Sequence, residues 1–171
     1  MSTLFSRNFI RFTTLSLIQV FLLQNVGYYN LSTPYLYILF VLLLPIKTSN
    51  WLVFTLAFIS GFTIDAFYDT FGLHTTACVI LAFVRIIFIS LTIQQEKYEA
   101  GQPPSLAVMG FRWFFVYVTV LTIIHHSVLF LFETFRFSDF AYTLLRIILS
   151  SLFTIILIFT YEYIFYYKKV R

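Results

Sequence analysis

Apolar residues run along this chain in long unbroken blocks, separated by short polar stretches. The blocks do not alternate apolar with polar positions, which rejects a membrane β-barrel. Backbone polar groups in lipid must be satisfied within the segment, so the blocks read as helices. The pattern predicts six of them, over about 8–26, 34–46, 50–67, 73–93, 106–132 and 140–167. Polar Thr13, Ser16, Gln19 and Gln24 lie along the first, and Gln19 is expected to bond to a neighbouring helix or to present a partner-binding face. The second starts at Pro34, whose missing N–H suits a first helical turn. It is too short to cross a core of ~30 Å without its flanks, so a thin or strongly shielded crossing is expected. Trp51 sits where an interfacial belt residue belongs. Gly101, Pro103 and Pro104 interrupt the one clearly hydrophilic loop, 94–105.

Composition sharpens this into a class. Of 171 residues 60% are hydrophobic and 11% charged, with mean hydropathy +0.90. A soluble domain carries about 25% charged residues, so this chain cannot cover a water-facing surface. It reads as an all-α integral membrane protein, one transmembrane domain over 1–171, in contact with the lipid bilayer. The net charge of +4 is topology information, since no basic cluster is long enough for nucleic acid. Arg7, Arg11, Lys47, Lys97, Arg112, Lys168, Lys169 and Arg171 share one side of a six-pass layout, against Arg136 and Arg146 on the other. The positive-inside rule then places both termini in the cytoplasm.

The costliest residues lie in 61–85, GFTIDAFYDTFGLHTTACVILAFVR. A charge at the centre of a membrane helix costs about 2.5–3.5 kcal/mol on insertion scales, so Asp65 and Arg85 are expected to have a use. The other segments are read as walls around this hairpin. Gly61 lies one helical turn before Asp65, on the same face, and permits close approach of another group. Asp69 and Gly72 form the turn, and His74 opens the next helix. Asp65 and Arg85, about 9 and 16 Å below the outer surface by helical rise, are the expected buried charge pair. Such a pair serves either as a lock between two helices or as part of a polar pocket or partner site. His125 and His126 point about 100° apart, so at most one is expected to face the interior well; both read as interfacial. Glu162 is expected to snorkel or to pair with Arg11 or a lysine. Cys78 is alone in an apolar run, without a disulfide partner, and reads as a small apolar helix residue. No metal-ligand spacing and no nucleophile signature is present, so no metal, cofactor or enzymatic activity is expected.

Gly61-Phe62-Thr63-Ile64-Asp65, followed by Gly72-Leu73-His74 in the next turn, resembles the signature region of the MreD family. These are the rod-shape-determining inner-membrane proteins of bacteria. PYLYILFVLLLP and WLVFTLAFISG are also similar to the family; the second half is similar in hydropathy and length. The resemblance implies a bundle like the six-helix substrate-binding subunits of energy-coupling-factor transporters. It implies a non-enzymatic scaffold of the cell-elongation machinery in the inner membrane. The implied partners are an MreC-type bitopic protein, the MreB filament and the side-wall peptidoglycan synthases, reached directly or indirectly. The shared fold supplies an alternative, a vitamin-type binding subunit of a transporter. The helix 1 sequence lacks the small-residue docking stripe of such subunits.

Overall fold

The computed structural model describes residues 2–24, 26, 31–99, 101–134 and 140–165. The turn at 27–30, the loop with Arg136 and Asp139, and the basic end with Lys168, Lys169 and Arg171 lie outside the described residues. Among the described residues four helices are long and apolar enough to cross a membrane: α3 (Asn50–Tyr68), α4 (Leu73–Thr92), α6 (Phe111–Thr134) and α7 (Phe140–Phe165). Each packs on a neighbour in sequence, α3 on α4 and α6 on α7, and α4 joins the two pairs. The less apolar α1 (Ser2–Leu17) runs straight into a π-helical stretch, Ile18–Leu23, and packs on α3.

The centre is not the α3–α4 hairpin that the charge pattern singles out. It is residues 34–46, every one of them buried. This segment holds a 3₁₀ turn, Leu36–Ile38, and a single α turn, α2 (Leu39–Leu42). The helix expected over all of 34–46 is therefore only seven residues long, about 12 Å of rise. The shielding expected of it is present: α1, α3, α4 and α7 all pack around it. Irregular backbone at membrane depth is tolerated where protein encloses it.

The helix expected over 106–132 breaks at Gly110 (φ 77°), between α5 (Leu106–Met109) and α6. The break gives Leu106 its own helix start, and the buried Glu162 accepts the Leu106 N–H at 2.9 Å. Glu162 thus turns inward, not outward to the interface as a snorkelling acid would. Polar contacts define one end of the bundle. Arg7 Nη2 donates to the Gly101 carbonyl at 2.7 Å, and Ile46 N to the Gln102 carbonyl at 2.9 Å. At the other end Arg146 pairs with Glu133 at 3.2 Å.

Candidate functional site

Asp65 and Arg85 do not pair. The Asp65 carboxylate caps the first turn of α4. Its Oδ1 accepts the His74 N–H (3.0 Å) and the Thr70 hydroxyl (2.6 Å); its Oδ2 accepts the Thr75 N–H (2.8 Å) and the Thr75 hydroxyl (2.5 Å). The first amides of a helix have no partner inside it, and a carboxylate there also meets the positive end of the helix dipole. Those donors lie beside Asp65, whereas Arg85 is ten residues further along α4, about 15 Å away by helical rise. Arg85 instead donates through Nη2 to the carbonyls of Leu44 and Pro45.

Gly61 makes the cap possible. A Cβ on it would lie 2.5 Å from Thr75 Cα and 2.6 Å from the His74 carbonyl oxygen. Only a glycine lets the start of α4 rest against α3. Asp69 ends α3 in the left-handed conformation (φ 53°) with its N–H on the Asp65 carbonyl, and Gly72 (φ 80°) turns the chain into α4. Asp69 is exposed. Gly61, Asp65, Asp69, Gly72 and His74 therefore form one junction, a lock between two helices made through backbone; Arg85 belongs elsewhere.

His74 faces inward from that junction into a cluster the sequence pattern does not announce. Tyr37 Oη lies 3.0 Å from His74 Nδ1 and 2.9 Å from His125 Nε2, and Cys78 Sγ donates to it at 3.7 Å. A phenol has one proton, so it donates to one imidazole and accepts from the other. The two histidines consequently present opposite faces, one N–H and one lone pair. The Tyr35 ring touches His74, His125 and His126 with centroids 5.2–6.2 Å apart. His126 bonds through Nε2 to Thr154 Oγ1 (3.1 Å), the same oxygen that accepts the Tyr35 N–H (3.0 Å). Both His125 and His126 are fully buried, where interfacial positions were expected. Helix α6 is covered on two sides, by α4 and by α7, so residues 100° apart both meet protein. His125 Nδ1 has no hydrogen-bond partner among the described residues. Among the described residues no group of three or more His, Cys, Asp or Glu is placed to hold a metal.

These contacts share a purpose, the polar backbone at both ends of the broken central helix. At its start, Gln19 Nε2 donates to the Pro34 carbonyl (3.1 Å) and to Tyr68 Oη (2.9 Å), while Gln19 Oε1 accepts the Tyr37 N–H (3.4 Å). Thr33 N donates to Ser150 Oγ at 2.9 Å. The neighbour bonding expected of Gln19 is thus present, and its full burial removes it from any outward face. At the other end the last carbonyls, which no helix continues to satisfy, receive Tyr117 Oη on Leu42 (2.8 Å), Arg11 Nη1 on Leu43 (2.8 Å), and Arg85 on Leu44 and Pro45. Cations at a helix C-terminus also complement its dipole. The sequence pattern does not single out Tyr37 and Tyr117, and it reads Gln19 as a neighbour-bonding or partner-facing residue and Arg11 as a candidate partner of Glu162, not as ties to the central backbone. The available signal was the pair of prolines bracketing a run too short to span.

Fold and site together define a class: an all-helical protein with the make-up of a multi-pass membrane protein, built around a broken, fully enclosed helix. No protein-family model, curated protein or solved structure matches the chain.

Proposed function

We propose that this protein is a non-enzymatic scaffold of MreD type in a bacterial inner membrane, binding an MreC-type bitopic partner and helping to position side-wall peptidoglycan synthesis. The α3–α4 junction carries the reading. The residues of the family-like run, Gly61, Asp65, Gly72 and His74, act as one unit that sets two helices against each other. The polar core supports the same reading, because most of its groups bond to one another or to the central backbone.

The reading includes six passes and two cytoplasmic termini. It draws support from the Arg7–Gly101 and Ile46–Gln102 contacts, which gather the N-terminal helix, the 45–47 turn and the 94–105 loop at one end. A reporter fused after Gly101 is expected to read as cytoplasmic; an external signal there removes the six-pass layout.

One observation favours the second reading, a small-molecule binding subunit of a transporter. Three histidines and two tyrosines meet where a broken helix begins, with His125 Nδ1 unpartnered. Broken helices line substrate sites in many transporters. Affinity purification in mild detergent, with mass spectrometry, separates the two. Recovery of the bitopic partner and cell-wall synthases supports the scaffold; recovery of transporter ATPases replaces it.

A further inference from the structure

Three imidazoles share one buried compartment, at the start of α4 and in the far half of α6. His74 is 2% exposed, and His125 and His126 are fully buried. The Tyr35 ring touches all three, and the His125 and His126 rings lie 5.4 Å apart. The bonds on Tyr37 balance only when His74 and His125 are neutral. Its oxygen accepts the Cys78 thiol proton and one imidazole N–H, and it gives its own proton to the other imidazole. Both lone pairs and the one proton are then in use. A further proton on the accepting ring turns a second imidazole N–H toward an oxygen with no lone pair left, and strands the phenol proton. His125 Nδ1 has no acceptor for one either among the described residues. His126 is set in the same way. Its Nδ1 faces the Thr122 carbonyl at 2.9 Å, so that nitrogen carries the proton, and Nε2 is left to accept from the Thr154 hydroxyl at 3.1 Å.

The surroundings offer no counter-charge. Among the described residues the ion pair is Arg146 with Glu133, and no histidine takes part in one. From α3, Asp65 and Tyr68 face the cluster. The Asp65 carboxylate is occupied by its four donors, and the Tyr68 ring lies against His74 (5.4 Å) with its hydroxyl on the Gln19 carbonyl (3.2 Å). From α7 come Thr154 and, one ring away, a cation. The Arg146 guanidinium sits 4.4 Å over Phe130, whose ring meets His126 (6.0 Å) and Tyr35 (6.1 Å). A buried charge is costly unless it is paired, and like charges in one compartment oppose each other. We propose that the cluster is a pH-sensitive lock on the start of the central segment, closed while its three imidazoles are neutral and released as they take up protons. Tyr35 and Tyr37 belong to that start, so the loss of their contacts frees it from α4 and α6. An imidazole in water takes its proton at about pH 6.5. The opened state binds protons that the closed state does not, so closure is complete above about pH 6.5 and weakens as the pH falls below it. The lock is independent of whether the protein is a scaffold or a transporter subunit.

Cys78 is the one cysteine of the chain and lies inside the lock, its Sγ 4.0 Å from His125 Nε2, so its reactivity reports opening. The test follows its reaction with a dithiodipyridine, a reagent that still attacks thiols in acid, on the full chain in nanodiscs from about pH 8 to about pH 5. Each rate is divided by that of the detergent-unfolded chain at the same pH. The ratio is expected to stay flat above about pH 7 and to climb below about pH 6.5, about tenfold per pH unit for each imidazole that titrates. His74→Asn keeps a polar atom near the Nδ1 position and His125→Gln one near Nε2, neither with a titrating ring. Each is expected to make the climb shallower by about tenfold per pH unit. Amide hydrogen exchange in the same samples, again relative to the unfolded chain, separates a local lock from general acid unfolding. Exchange is expected to rise at 35–38 and 74–78 while 101–109 stays as it is at neutral pH. A ratio that does not change with pH overturns the proposal, and so does loss of protection at both ends together. A climb that both variants leave as steep as in the parent overturns it as well. Should neither variant fold, the parent profile and the exchange pattern decide.

Discussion

Asp65 holds four donors at the start of α4, and Arg85 holds two carbonyls at the end of the central segment. Each is needed, but for separate reasons. Asp65→Ala strands two backbone amides and two hydroxyls and is expected to cost about 2 kcal/mol or more. Arg85→Leu leaves the Leu44 and Pro45 carbonyls buried without a donor, about 1–3 kcal/mol. Sites this far apart with no shared partner add to within about 0.5 kcal/mol. The double variant is therefore expected to be as unstable as the sum, measured by unfolding in detergent micelles. Recovery of stability in the double variant would show that the two charges pair after all. Sequence alone suggested that pairing because it counted depth along two helices and saw two opposite charges within reach. It could not count the competing donors beside Asp65, which appear only when Gly61 lets α4 start against α3.

At the scale of elements, the broken central helix organises the bundle. Its start is held by Gln19 from the π-helical stretch and by Ser150 and Thr154 from α7, its end by Arg11, Arg85 and Tyr117. Tyr37 ties it to the walls, because its hydroxyl hydrogen-bonds to both His74 on α4 and His125 on α6. Tyr37→Phe leaves His74 Nδ1 without its partner and His125 Nε2 with the Cys78 thiol at 4.0 Å in place of the phenol, and is expected to cost about 1–3 kcal/mol. Tyr142→Phe, at an exposed site on α7, is expected to stay within about 0.5 kcal/mol of the parent. Equal stability of the two variants would remove Tyr37 from the centre of the account. The four long helices were legible because an apolar block of this length has few other uses. The break in 34–46 was not, since a run of Leu, Tyr and Phe reads the same whether it is helical throughout or only over seven residues. The burial of both His125 and His126 was hidden for a related reason. Helical spacing gives the angle between two side chains but not how many neighbours surround the helix.

The whole molecule joins these parts into one consistent design. Outward surfaces are apolar: Phe58, Phe62, Leu91, Ile148 and Ile156 all stand exposed on helices long enough to span a membrane. The polar groups are turned inward, where they close the ends of the central helix and fix α3 against α4. The scaffold role proposed above rests on the α3–α4 junction within this design. The most direct measurement of that proposal is cell shape after clean deletion of the gene in the organism that carries it. The account predicts that elongated cells become rounded with no new vitamin requirement. Cells of normal shape, or a vitamin requirement, would contradict it.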